Sequence, residues 1–267
     1  MERKDLTTGA KTIMAICPFK QKRYPEISIN KHKSRLCAHG GQKTWGQYYW
    51  ETYAPVVTWA SVHLLLVVAK IHNLDSKSID FVLAFPQADH KIPIFMELNS
   101  GVTPINKVDS NRRRYFLCIN KYLYGLKSSG HKWFEKLCSV LKYRNFVQIR
   151  VDKCVLYIYG CIIFTYVNYF IIIVNSMAIV DYIIDCLRDG DEDFELTDAG
   201  SIEKYIGVLI KDIDDNSFEM SQPFLVRQII ASLSLHENKT RGRNNLVGKP
   251  LLNLDLDVFP RKHKCLY

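Results

Sequence analysis

No two of the eight cysteines stand in a C-x-x-C pair. They are scattered over positions 17, 37, 118, 138, 154, 161, 186 and 265, and so outline neither a zinc site nor a disulfide framework. They read as small buried hydrophobes in a reduced compartment. The opening MERKDLTTGAK lacks an apolar segment, so no secretory signal peptide is read, and the expected location is cytoplasmic or nuclear. Without such a signal the glycosylation pattern Asn238-Lys239-Thr240 carries no meaning. The acidic stretch DCLRDGDEDFELTD has no EF-hand spacing and reads as a solvated turn. Acid is also short overall: 27 Asp and Glu stand against 36 Lys and Arg, for a net charge of +9. That balance favours a polyanionic partner such as nucleic acid. At 267 residues, 48% of them apolar, the chain can form one large domain or two small ones around a sizeable core.

Charge is missing altogether from Cys154 to Val180. An uncharged apolar run of about 18 or more residues is a candidate membrane helix. Composition decides against it. From Cys154 to Val174 ten residues are β-branched, six are aromatic, and Leu156 is the only leucine. Such residues suit a packed, pleated surface. Gly160 and Asn168 punctuate the run, predicting strands near 155–159, 161–167 and 170–174. The last two join in a hairpin at Val167–Asn168–Tyr169, with Asn168 supplying left-handed backbone.

Residues 11–37 predict another hairpin, turning at Tyr24-Pro25-Glu26. Strand alternation puts Lys31, Lys33 and Arg35 on one face. That face is either a solvated edge or a phosphate-binding surface. Thr58 caps a predicted helix from Trp59, with Val62, Leu65, Leu66, Ala69 and Lys70 at helical spacing. Asp80 lies within the apolar strand-like run SIDFVLAF, where an unpaired carboxylate is costly; Asp89 reads as a loop residue. Residues 99–114 read as a polar loop, with Arg112–Arg114 solvated. Ser128 or Ser129 caps a helix through Arg144 that buries Trp133, Leu137, Val140 and Leu141. A helix is predicted over 177–189. Beyond it come a hairpin turning at Asp214–Ser217 and a helix with Pro223 in its first turn.

Several ordered motifs resemble the reverse transcriptase domain of copia-type retrotransposon Pol polyproteins. Tyr166-Val167-Asn168-Tyr169 resembles the family's Tyr-Val-Asp-Asp box, with both aspartates replaced. IDFVLAFPQAD resembles its first catalytic motif, and Leu123-Tyr124-Gly125-Leu126-Lys127-Ser128 its strand-to-helix motif. KHKSRLCAHGG, ETYAPVV, YIGVLI and MSQPFLVRQII also match, and the likeness covers roughly residues 9–264. It implies an α+β fold: a fingers–palm polymerase core with an antiparallel palm sheet and flanking helices. The fingers fall within about 9–58 and part of the following region, and the whole core within 1–235. Residues 236–267 form a polar tail, the start of a truncated connection to RNase H. Integrase and protease segments are not read. The implied activity is RNA-directed DNA polymerisation on an RNA or DNA primer–template with deoxynucleotides. Its magnesium pair is held by aspartates, one activating the primer hydroxyl and the other orienting the triphosphate.

The resemblance makes Asp80 the retained catalytic and metal-binding carboxylate, together with the backbone carbonyl of Phe81. Asn168 and Tyr169 mark the lost aspartates, so magnesium binding is in doubt here and the domain is expected to be inactive. Lys33 and Arg35 carry over to triphosphate binding. Phe85 corresponds to the aromatic under the sugar, while Gly125 and Lys127 lie by the forming base pair. A non-catalytic nucleic-acid-binding module is the alternative, and a membrane anchor spanning 154–174 a further one.

Overall fold

The computed structural model describes residues 11–23, 29–98, 115–188, 194–214 and 217–233. The chain divides into two compact units, Met1–Ser221 and Gln222–Tyr267. In order, the first unit runs β1 (Thr12–Ile13), β2 (Ala15–Ile16), β3 (Phe19–Arg23), β4 (Ile29–Ser34), β5 (Cys37–Ala38) and α1 (Trp59–Ile71). It continues with β6 (Asp75–Phe81), β7 (Asp89–Glu97), β8 (Phe116–Lys121) and α2 (Ser129–Tyr143). Next come β9 (Val147–Gln148), β10 (Val155–Ile158), β11 (Cys161–Tyr166), β12 (Tyr169–Val174) and α3 (Met177–Arg188). It closes with β13 (Leu196–Gly200), β14 (Lys204–Tyr205), β15 (Val208–Asp214) and β16 (Ser217–Ser221). The second unit contributes α4 (Pro223–Ser232), with proline in its first turn as expected.

A six-stranded antiparallel sheet, ordered β13-β6-β12-β11-β10-β9, holds the uncharged run. Both its faces are buried. Ile163, Phe170, Ile172 and Val174 pack with Trp133, Leu137 and Leu141 of α2 and with Ile183 and Leu187 of α3. Phe164, Ile171 and Ile173 pack with Val62, Leu66 and Ala69 of α1. An antiparallel sheet usually wets one face and alternates polar with apolar residues. Here consecutive side chains meet protein on both sides, and that is why the run reads as continuous hydrophobic sequence. Each fully buried Ile or Phe contributes about 1.5–3 kcal/mol. Among the described residues no helix is long and apolar enough to cross a membrane.

Non-local polar anchoring fixes α1. Thr58 accepts from the Ser61 amide at its N-terminus, as its position predicts. Buried Asp152 reinforces that end from 91–94 residues away in sequence. One of its oxygens accepts from Thr58 N at 2.9 Å and Ser61 Oγ at 2.7 Å; the other accepts from Cys154 N at 3.0 Å. Burial raises the Asp152 carboxyl, but the hydrogen bonds outweigh it and hold the group below its ordinary value.

Several expectations change. The N-terminal hairpin is divided, β3 pairing with β4 and β2 with β5, while β1 runs parallel to β7. Arg35 lies just past β4 rather than on it. Asp89 begins strand β7 instead of lying in a loop, and its carboxylate meets Lys121 Nζ at 2.6 Å. Ser128 precedes α2 but forms no cap bond; its hydroxyl turns to Tyr122, while Ser129 Oγ donates to Leu123 O at 2.6 Å. An unexpected hairpin joins β14 to β15 through Ile206 and Gly207, both with positive φ, the signature of a type I′ turn. Cys138, Cys154 and Cys161 are buried as expected, but Cys118 is exposed. Tyr24–Glu26, residues 99–114, part of the acidic stretch and the tail from 236 lie outside the described residues.

Candidate active site

Asp80 sits near the end of β6, between β12 and β13. Its register partners are Tyr169 on one side and Thr197 on the other. The β11–β12 hairpin turns through Val167 and Asn168, the strands closing at Tyr166↔Tyr169. The sequence assigns the left-handed position to Asn168; the structure gives it to Val167, at φ +57°. A single positive φ at the first turn residue follows the II′ pattern, where glycine is usual. A β-branched residue there is strained by roughly 1–2 kcal/mol. The turn is pinned from outside: Trp133 Nε1 donates to Val167 O at 2.6 Å, and Phe81 N donates to Asn168 O at 3.0 Å. Trp133 is itself locked edge-on against Phe81 at 5.0 Å and Phe194 at 5.5 Å.

This packing delivers the Asn168 side chain to Asp80. Asn168 Nδ2 donates to Asp80 Oδ1. The direction is dictated by chemistry, because an ionised carboxylate has no hydrogen to give. Thr197 Oγ1 donates to the Asp80 carbonyl at 3.2 Å. Tyr169, about two-fifths exposed, stands across the strand from Asp80.

A hard divalent cation needs anionic oxygens. The residues present do not fit a pair of them. Asp80 supplies one carboxylate, an amide hydrogen of Asn168 points at it, and its register partner Tyr169 brings a phenol. Among the described residues no group of three or more His, Cys, Asp or Glu could hold a metal ion.

Tyr124 links Asp80 to other residues singled out in the sequence. Its ring lies 4.8 Å from that of Phe85 and 5.1 Å from the Arg35 guanidinium. Burial raises the Tyr124 hydroxyl pKa; Arg35 opposes that rise and Asp80 adds to it. The structure thus gathers Asp80, Phe85 and Arg35 around a residue that sequence reasoning passed over. Its place inside the Leu123–Ser128 motif was the available signal.

Gly125 has φ +89°, and a Cβ there would overlap the Ala38 carbonyl. Likewise a Cβ on Gly40 would overlap the Gly125 carbonyl. Ala38 N donates to Tyr124 O at 2.8 Å, so two backbones lie in direct contact. The need for glycine at 125 comes from this approach as well as from the turn. Lys127 Nζ donates to the Tyr49 hydroxyl at 2.9 Å. Lys33 is opposite Lys20 in the β3–β4 ribbon, and Lys31 opposite Lys22. Phe81 offers backbone only, since its ring is in the core.

The six-stranded antiparallel sheet thus presents Asp80 beside the tight β11–β12 turn, with helices packed on both faces. The family described as "Reverse transcriptase (RNA-dependent DNA polymerase)" matches residues 4–244, and the chain belongs to it. The chain is 24% identical over 88% of its length to the Retrovirus-related Pol polyprotein from transposon TNT 1-94 of Nicotiana tabacum. It is also similar to the Pol polyproteins from transposons RE1 (24% over 81% of the chain) and RE2 (26% over 72%) of Arabidopsis thaliana. It is a copia-type retrotransposon reverse transcriptase domain. It spans 18%, 14% and 13% of those three polyproteins, respectively.

Proposed function

We propose that this domain is the fingers–palm core of a copia-type reverse transcriptase whose metal site has been dismantled, leaving it unable to add deoxynucleotides. One observation carries the reading: the Asn168 amide is bonded to Asp80, the retained acid. Two magnesium ions bring four positive charges, and one carboxylate leaves most of that charge unbalanced. In this reading β6 and the β11–β12 hairpin are palm elements, and the β3–β4 ribbon belongs to the fingers within residues 1–235. Residues 236–267 begin a connection.

The remaining partner is primer–template. The chain carries a net charge of +9, and Lys20, Lys31 and Lys33 lie on the exposed β3–β4 ribbon, which suits a polyanion. Arg35 and Lys33 are assigned to phosphate, Phe85 to the sugar, and Gly125 and Lys127 to the base-pair side. The setting is cytoplasmic or nuclear.

The test is primer extension by the purified chain on RNA and DNA templates, with magnesium or manganese. No extension is expected. Asn168→Asp with Tyr169→Asp is the minimum change for any rescue. Robust extension by the unmodified chain that disappears in Asp80→Ala would overturn the inactivity reading.

A further inference from the structure

We infer that Trp45 and Trp50 form a stacking platform for unpaired nucleobases, a single-strand contact adjoining Lys127. The inference rests on the nucleic-acid reading above and names which form of nucleic acid this face takes.

The stretch from Trp45 to Tyr53, WGQYYWETY, carries three large aromatic side chains pointing into solvent. Trp45 is 67% exposed, Trp50 60% and Tyr53 68%. A single exposed aromatic is ordinary. Two indoles within six residues, on a backbone held in one shape, are not. Gly46 N donates to Tyr49 O at 2.9 Å and Tyr48 N to Thr44 O at 3.2 Å. Gly46 takes φ +78°, as the tight reversal requires. Trp45 Nε1 donates to Trp50 O at 3.0 Å, which fixes the first indole beside the second residue's backbone. Among the described residues neither indole stacks on another ring. The loop is also fastened to the start of α2, where a His131 ring nitrogen meets Tyr53 O at 2.7 Å. The Trp45 indole is thus held in place with its face open, and the Trp50 indole stands exposed on the same fixed backbone.

Charge selects the occupant. Lys127 Nζ sits on Tyr49, 5.2 Å from its ring centroid and 2.9 Å from its hydroxyl. Lys43 also lies 3.8 Å over the Tyr48 ring, but it is buried there, which leaves exposed Lys127 as the cation beside this stretch. The one acid in the stretch is Glu51, whose carboxylate accepts from Thr52 N and Tyr53 N, both at 2.9 Å. Those amides lower its pKa and occupy the carboxylate oxygen that they share, although the side chain itself is exposed. Rigid aromatics interleaved with cations are the pattern of single-strand binding, because every base offers a π-face and every linkage a phosphate. A protein-binding patch would be depleted of charge at its centre.

The experiment titrates the full chain with a twelve-nucleotide oligo(dT), a blunt duplex of equal length and inorganic polyphosphate, following tryptophan emission and anisotropy of labelled nucleic acid. Oligo(dT) is expected to quench emission. Trp45→Ala with Trp50→Ala should weaken oligo(dT) binding at least tenfold, a loss of about 1.4 kcal/mol or more. The same variant should keep duplex and polyphosphate binding, and Trp45→Phe with Trp50→Phe should retain most of the single-strand affinity. Circular dichroism checks that each variant folds. If the parent binds neither oligonucleotide, the nucleic-acid reading itself falls. If the parent binds and the alanine variant binds oligo(dT) equally well, the platform alone is overturned. Equal loss of duplex and oligo(dT) binding also overturns it. So does loss of self-association on gel filtration with single-strand affinity intact, which would make the face a protein interface.

Discussion

Replacing Asn168 with aspartate should make the domain less stable before it makes it more active. In the parent an amide N–H lies against the Asp80 carboxylate. Asn168→Asp is nearly isosteric, so the turn, pinned by Trp133 and by Phe81 N, has no steric reason to move. The substitution removes a hydrogen bond to a charged group, worth about 1.5–3 kcal/mol. It also brings two like charges together. At 4 Å and an effective dielectric constant of 20 their repulsion is about 4 kcal/mol, and partial exposure roughly halves it. With relaxation, a net destabilisation of about 3 kcal/mol is expected at pH 7 in EDTA. The repulsive part, about 2 kcal/mol, favours uptake of a proton by the carboxylate pair. The folded variant then binds a proton more readily than the unfolded chain. Its penalty is fully present at neutral pH and is lifted in acid, where the pair can hold a proton. Millimolar magnesium or manganese should recover part of the loss at pH 7, because a cation now has two carboxylates to bridge. The assay is urea denaturation of parent and variant at pH 4.5 and 7, with EDTA or metal. Equal stability at pH 7 in EDTA would refute the assigned contact between Asn168 and Asp80.

Two other perturbations test the frame. Val167→Gly releases a left-handed β-branched residue whose side chain is already 37% exposed, at the cost of greater unfolded-chain entropy. A gain of about 0.5–1 kcal/mol is expected in thermal unfolding, and a loss would show that the strain is absent. Asp152→Ala strands the Thr58 and Cys154 amides and should cost about 3 kcal/mol. Since the Asp152 carboxyl is held below its ordinary value, its contribution is full above about pH 4 and fades as pH falls through the folded-state value. The gap between parent and variant should narrow in acid, and a constant gap would contradict the carboxylate's role.

Periodicity made the helices readable. The Val62, Leu66 and Ala69 stripe and the Trp133, Leu137 and Leu141 stripe each follow from local spacing, and both are buried. The β-branched run and the bend at 167–168 gave the central hairpin to within a residue or so. Asp80 next to Asn168 was legible only through the motifs, since 88 residues separate them. What stayed hidden is non-local. Propensity favours Asn168 for the left-handed position, but the Trp133 and Phe81 bonds to the turn carbonyls accompany Val167 in that role. Ser128 has the right chemistry for a cap, yet its hydroxyl goes to Tyr122. Asp152 anchors α1 from a position no window around α1 contains. Tyr124 was hidden for the same reason, its neighbours Arg35, Asp80 and Phe85 all lying some forty residues or more away in sequence.

The place of β6 in its sheet has a consequence for the time course of synthesis. Its hydrogen-bonding partners are β12 and β13, whose register with it begins at Tyr169 and ends at Gly200. As the chain leaves the ribosome, β6 emerges long before either neighbour exists. The β11–β12 hairpin can zip locally, but inserting β6 against it closes a loop of nearly ninety residues, and closure entropy and high contact order slow such a step. Until then β6 is an unpaired strand with two open edges, available to any other nascent chain. The surroundings of Asp80 are therefore among the last parts of the first unit to be assembled, and the interval before β6 is paired is when the polypeptide is most exposed to mispairing.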